Sequence, residues 1–247
     1  MAEWFESAEF WRDFQPFMFG WDTRARAADE VEGILTLLSA PAGSTLLDAC
    51  CGFGRHSIAL ALRGYRVTGV DLTRRYLDEG RRDARKAGAE VEWVEQDVRT
   101  FKRPRAFAGA INLFSSFGYF SDPADDLRFL RNLRASLKPG GRLLIDLKGK
   151  ESLAAGFLER TWTRVGDAIV LEEHRLLDSF SSIETTWTLV REGKRPRPAT
   201  FRLRLYSAVE LAAALRAAGF REVDLFGDFE GSPYDHAAHR MVAVAER

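Results

Sequence analysis

The chain has 247 residues, 46% of them hydrophobic and 29% charged, and its 36 basic and 36 acidic side chains cancel at neutral pH. That composition places it among globular chains of one large domain, or of one domain with a small subdomain. Zero net charge argues against binding dominated by phosphate neutralisation, and no apolar run approaches the roughly 18 residues that span a membrane.

Residues 1–21 carry eight aromatics: Trp4, Phe5, Phe10, Trp11, Phe14, Phe17, Phe19 and Trp21. They are expected to pack on the main body and to fold over a ligand cleft as an apolar wall. Arg24 and Arg26 precede a helix that ends near Ser39, so 1–39 reads as an aromatic helical cap. The N-terminus is acidic and aromatic rather than signal-like.

Pro41-Ala42-Gly43-Ser44 is a turn into the stretch that organises the chain, Thr45 to Asp71. An apolar run, Thr45-Leu46-Leu47, ends on Asp48. A turn follows, with Cys50, Gly52 and Gly54. Ile58 to Leu62 give a helix with a wide apolar face, closed by Gly64. A second apolar run, Val67 to Val70, ends on Asp71. Strand, tight turn, helix and strand make a parallel βαβ unit with a right-handed crossover. Gly52 and Gly54 let the backbone turn sharply and let a ligand approach, because no Cβ intervenes. The start of the helix offers free N–H groups. Asp71, at the end of its strand, suits ribose hydroxyls and hence a ligand with an adenosine half. Ser57 stands where a dinucleotide fingerprint would place its third glycine. Cys50 and Cys51 are adjacent, which suits neither a disulfide nor a zinc site, so a reducing cytoplasm is the expected setting.

The alternation continues. Residues 73–87 read as a helix closed by Gly88, Val91 to Val94 as strand three, and Phe107 to Phe114 as strand four. A helix runs from Asp122-Pro123 to about Leu137. Lys138-Pro139-Gly140-Gly141 turns into strand five, Arg142 to Leu147. Residues 151–206 break the pattern with consecutive strands at 161–164, 169–177, 183–191 and 200–205, an inserted antiparallel sheet. Lys194-Arg195-Pro196-Arg197 reads as a solvated hairpin tip. A helix over 207–218 and strands at 222–226 and 241–245 close the chain.

The pattern D-x-C-x-G-x-G resembles motif I of the class I S-adenosylmethionine (SAM) methyltransferases, usually [D/E]-x-G-x-G-x-G, with Cys50 in place of the first glycine. GRHSIALALRGYRVTGVD, SSFGYF, LKPGGRLLIDL, RLYSAVELAAALRAAGF and GDFEGSPYD look like one group of bacterial members, many without an assigned substrate. The resemblance implies a Rossmann-like α/β fold. Its seven-stranded sheet has order 3-2-1-4-5-7-6, with strand seven antiparallel and an antiparallel β lid inserted. Residues 40–150 and 207–247 would form the core, and 151–206 the insert. It implies SAM as cofactor. Asp48, Cys50, Gly52, Gly54 and His56 would lie at the turn, with Asp71 and Leu72 at the ribose. Asp97 and Val98 would meet the adenine, and Asn112, Leu113 and Phe114 would stand near the sulfonium. One departure is that Ala108 or Gly109 replaces an Asp common near the start of strand four. An arginine at 24 or 26 could meet the cofactor carboxylate, or simply be solvated.

Methyl transfer from SAM needs mainly positioning and exclusion of water. No catalytic side chain is assigned; His56, Tyr119, Tyr234 and His236 are the candidates near the cleft, should a base be needed. Strand four lacks the proline motif of enzymes that methylate amino groups of bases, and no Pro-Cys pair offers a nucleophile. No metal site is expected. The expected acceptor is a small, partly apolar molecule. It would be enclosed by the aromatic N-terminus, the strands of 160–205 and the loop Gly231 to His236. The alternatives are a methyltransferase of RNA or protein, a non-catalytic binder of SAM or S-adenosylhomocysteine, and an NAD-dependent dehydrogenase, disfavoured by the missing glycine and by Asp48. Homodimerisation through the inserted sheet is left open.

Overall fold

The computed structural model describes residues 3–20 and 23–247. Trp21 lies outside the described residues, as does the side chain of Arg24. A 3-10 turn (Trp4–Glu6) and helices α1 (Ala8–Met18) and α2 (Thr23–Leu38) precede the core. The core alternates β1 (Thr45–Ala49), α3 (Arg55–Leu62), β2 (Arg66–Asp71), α4 (Arg74–Ala87), β3 (Val91–Glu95), β4 (Phe107–Asn112), α5 (Pro123–Ser136) and β5 (Leu137–Leu147). After α6 (Lys150–Ala155) come β6 (Arg160–Val165), β7 (Ala168–Leu177), β8 (Ser182–Arg191) and β9 (Arg197–Arg204). The chain closes with α7 (Ala208–Ala217), β10 (Arg221–Phe226) and β11 (Met241–Glu246).

The seven core strands lie in the order β3-β2-β1-β4-β5-β11-β10, and β11 alone runs against the others. This is the sheet the sequence implied. Its central strands are apolar on both faces because both are covered, while the edge strands β3 and β10 carry exposed charges. One face packs Leu47, Ala110, Leu143 and Ile145 against Phe129, Leu130 and Leu133 of α5 and Leu211 and Leu215 of α7. The other packs Leu46, Ile111 and Leu144 against Val31, Ile34 and Leu38 of α2 and Leu60 of α3. Residues one apart point to opposite faces, so each strand serves both layers. Caps fix the helix starts: Asp122 accepts from the Ala124 amide, and Ser207 and Glu210 form a capping box.

Three local expectations differ. Strand four stops at Asn112, because Phe114 and Ser115 take φ of 59° and 54°, which no strand allows. Strand five begins at Leu137, and the Pro139-Gly140-Gly141 segment is absorbed as a register shift against β4. Lys194, Arg195 and Pro196 are exposed at the β8–β9 turn, whereas Arg197, also exposed, starts β9 and pairs with Glu9 and, at 2.8 Å, with Asp13 of α1.

Strands β6 to β9 form a separate antiparallel sheet in sequence order. Helix α1 bridges it to the core through rings. Phe10 stacks on Trp187 at 5.8 Å, Phe17 meets Trp187 at 4.9 Å, and Trp4 touches Phe201 at 4.9 Å and Tyr119 at 4.8 Å.

Candidate cofactor and active site

The site is built where β1 and β2 end. Asp48 is 3% exposed, and its Oδ2 accepts a 2.6 Å bond from Ser57 Oγ, one turn into α3. Burial pushes its carboxyl up to about 7. Cys50 then takes φ of 61°, the left-handed region that favours glycine. The family's glycine at this place would meet that geometry without strain, so the cysteine is less neutral a replacement than its size suggests.

The two turn glycines do different work. A Cβ on Gly54 (φ +72°) would lie 2.1 Å from Cη2 of Trp93, so Gly54 lets that ring pack against the turn. A Cβ on Gly52 (φ +56°) would meet nothing within 4 Å, so Gly52 leaves open space toward the ligand side. Asp71 is held from two directions: Oδ2 accepts from the Gly52 amide at 2.7 Å and Oδ1 from the Thr73 amide at 2.8 Å. Each oxygen keeps acceptor capacity for a further donor. Burial pushes this carboxyl up despite both bonds.

At the start of α3, His56 Nε2 lies 2.7 Å from Glu30 Oε2 of α2. Burial, opposed by that bond, drives the imidazole down to about 4, so it is neutral at physiological pH. Arg55 lies 3.4 Å from Glu30 and 5.3 Å over the Phe114 ring.

All the candidate cofactor-binding residues except Gly54 and Asn112 line one pocket of about 120 Å³. Asn112 sits behind it, where Nδ2 donates to Ala49 O at 2.9 Å and ties β4 to β1. Asp97 lines the pocket with its carboxylate gripped by the Arg99 fork, and hydrogen bonds from Arg99, opposed by burial, hold it below its usual range. Phe5, Trp11, Met18 and Phe19 form the roof with Tyr119 and Phe120. Trp11 Nε1 donates to Phe5 O at 2.6 Å, and Tyr76 OH donates to Trp11 O at 3.2 Å, which fixes the roof to α4. The Gly231–His236 loop lines neither this pocket nor the second cavity described below. Tyr234 instead donates to Glu151 Oε2 at 2.9 Å, and His236 is exposed. Sequence reasoning missed Arg55, Thr73, Tyr76 and Gln96 as lining residues. Their positions beside the named turns carried the signal; their side-chain directions did not.

A sheet of this order, with a glycine turn facing the carboxylates that end β1 and β2, is the Rossmann-like fold of the class I SAM-dependent methyltransferases. Residues 46–141 match a family model described as a methyltransferase domain, and a SAM-bound amino pentose methyltransferase from Micromonospora echinaspora shares the fold, with a TM-score of 0.68, 22% identity, and 96% of each chain covered. A SAM-dependent methyltransferase from Clostridium acetobutylicum shares the fold, with a TM-score of 0.79, 16% identity, and 96% and 97% of the two chains covered. An aminosugar N,N-dimethyltransferase of Streptomyces venezuelae, acting on dTDP-3-amino-3,4,6-trideoxy-alpha-D-glucopyranose, is 26% identical over 86% of this chain and 89% of its own length. A SAM-dependent Diels-Alderase of Talaromyces variabilis is 34% identical over 46% of this chain. The match spans 39% of that relative's length and 40% of a further relative's. Among the described residues no helix is long and apolar enough to cross a membrane, and no cluster of potential metal ligands occurs.

Proposed function

We propose that the chain is a SAM-dependent methyltransferase acting on a small-molecule acceptor. The observation that carries this reading is a pocket with a polar floor and an aromatic roof. The floor holds a preorganised Asp71; the roof of Phe5, Trp11 and Phe19 excludes water. The residues fit the cofactor. Asp71 takes ribose hydroxyls with its remaining lone pairs, Asp97 and Val98 meet the adenine, and Gly52 and Cys50 leave room for the turn to touch the ligand. Leu113 and Phe114 stand near the sulfonium. SAM supplies an electrophilic methyl: the acceptor's lone pair forms the new bond to carbon, the carbon–sulfur pair stays on sulfur, and S-adenosylhomocysteine leaves. The chain's own contribution is to orient the acceptor and keep the site dry. Relatives that act on a small aminosugar support the acceptor class. Zero net charge speaks against a nucleic acid.

A second reading has one observation in its favour. The Diels-Alderase relative depends on SAM by name, and its reaction is a cycloaddition. On that reading this chain uses SAM as a bound, unconsumed group. Chromatography of S-adenosylhomocysteine after incubation with SAM and a panel of small acceptors tests both. Acceptor-dependent formation supports transfer, whereas bound SAM that stays intact across the panel supports the second reading.

A further inference from the structure

A second cavity, about 420 Å³, lies beneath the inserted sheet. Its roof is the inward face of that sheet. Glu172 and His174 on β7 alternate inward, as do Ile183, Thr185 and Trp187 on β8 and Phe201 and Leu203 on β9. Its floor is the core, through Ser115, Phe117, Leu147 and Lys148. One segment, 113–120, lines both it and the cofactor pocket. Ser115 and Phe117 face the second cavity, while Leu113, Phe114, Ser116 and Tyr119 face the first. The left-handed backbone of Phe114 and Ser115 sits in this segment, and such strain persists only where the surroundings hold it.

Most of the cavity is apolar; its lining also includes Lys148 and Arg204, the latter paired with Asp126, and a polar cluster on the inserted sheet. Glu172 Oε2 and His174 Nε2 lie 4.0 Å apart, their side chains 13% and 19% exposed. His174 Nδ1 is 3.0 Å from Thr185 Oγ1, its cross-strand partner. With Nδ1–H donating to that hydroxyl, Nε2 presents a lone pair. Burial pushes the Glu172 carboxyl up, opposed by hydrogen bonds with Trp187 and Thr163, and its free acceptor capacity faces that lone pair across a gap too wide for a hydrogen bond. A nitrogen with N–H groups fits between them at roughly 2.8 Å from each.

We propose that this cavity is the acceptor site and that it takes an amine with an apolar body. This inference rests on the methyl-transfer reading above. The Glu172 carboxylate pairs with the incoming ammonium. His174 Nε2 takes one proton from it, leaving a neutral amine with a free lone pair and an imidazolium beside Glu172. Burial favours the neutral imidazole before the amine arrives, and Lys148, the cation facing this ring from the core side, acts in the same direction. Trp187 and Phe201 supply the wall for the apolar body. An anionic acceptor would meet the Glu172 charge unpaired, and an alcohol would satisfy the gap without charge.

Matched probes test the class. 2-Phenylethylamine, 2-phenylethanol and 3-phenylpropanoate share a body and differ in the head group. Their affinities are measured by calorimetry on the wild-type protein and on Glu172→Gln, with S-adenosylhomocysteine titrated in parallel. The amine should bind the wild type at least about tenfold more tightly than the other two, the scale of one charge-assisted hydrogen bond. Glu172→Gln should lose about tenfold in amine affinity with unchanged S-adenosylhomocysteine affinity, which also reports that the variant is folded. Equal affinity for the three probes, or tightest binding of the carboxylate, overturns the proposal without any variant. If the amine behaves as stated but S-adenosylhomocysteine does not bind the wild type, the methyl-transfer reading fails instead. Chemical-shift titration of the His174 ring should follow amine binding and not alcohol binding.

Discussion

The floor and the roof of the cofactor pocket are held by different physics. The floor, from Thr45 to Asp71, is fixed by short buried and part-buried bonds, Ser57 to Asp48 and the Gly52 and Thr73 amides to Asp71, and by Trp93 seated on glycine. The roof, α1 and the turn before it, has two buried bonds, Trp11 to Phe5 and Tyr76 to Trp11, but is otherwise held by ring contacts and by half-exposed polar links such as Glu6–Arg99 and Arg197–Asp13. Buried polar bonds are costly to break singly, whereas ring contacts and surface ion pairs give way piecemeal. The floor therefore sets geometry and the roof sets access.

The comparison breaks first at Gly54. Gly54→Ala adds a Cβ at 2.1 Å from the half-buried Trp93 ring on a left-handed residue. The cost should be roughly 2–5 kcal/mol, from backbone strain plus overpacking. In a chain of this size that lowers the melting temperature by roughly 5–15 °C in calorimetry. Gly52→Ala meets open space and should cost only the backbone term.

Asp48 sharpens the account of the floor through pH. Its folded pKa, about 7, lies above the ordinary 3.8, so the folded state holds a proton that the unfolded state has lost. Stability is then lost as pH rises from about 4 to 7. Asp48→Asn removes that penalty while keeping an acceptor for Ser57. It should stabilise the protein at pH 8, by on the order of 4 kcal/mol at most, and give no advantage at pH 4. His56 runs the other way. Its folded pKa of about 4 lies below 6.5, so its contribution is lost as pH falls through that window. His56→Gln should gain on the wild type on acidification. Melting curves from pH 4 to 8 check both signs.

The roof should respond in access rather than in fold. Phe19 touches the rings of Phe53 at 5.0 Å, Tyr76 at 5.9 Å and Phe114 at 5.6 Å. Phe19→Ala should cost roughly 1 kcal/mol of stability yet speed SAM dissociation by about fivefold or more, read by stopped-flow fluorescence. The smallest effect is expected at Arg197→Ala, which removes half-exposed pairs with Glu9 and Asp13. A change below about 1 kcal/mol, vanishing in high salt, is the expected outcome.

The floor was more legible in the sequence than the roof. Leu46-Leu47 and Val67 to Val70 announce buried parallel strands, and glycines punctuate the turn between them, so topology followed from local patterns. The strained pair Phe114-Ser115 was not legible, because neither residue marks positive φ. The distinct tasks of Gly52 and Gly54 depend on where Trp93 lands, and β3 is distant in sequence. Arg197 read as solvent-facing because its partners, Glu9 and Asp13, come from the far end of the chain. Glu172 and His174 share a face by alternation alone, but which face points inward is decided by the docking of the inserted sheet on the core. Helix α6 spans only Lys150–Ala155, too short for a periodic signal.

Calorimetric titration of SAM into the wild type and Asp71→Asn tests the central claim most directly. Asn keeps an acceptor for one of the two amides, so the turn should stay folded, while the charge that meets the ribose hydroxyls is lost. SAM and S-adenosylhomocysteine should bind the wild type, NAD should not, and Asp71→Asn should bind SAM with a loss of about 1–3 kcal/mol. A folded Asp71→Asn that binds SAM as tightly as the wild type, or a wild type that prefers NAD, would contradict the account.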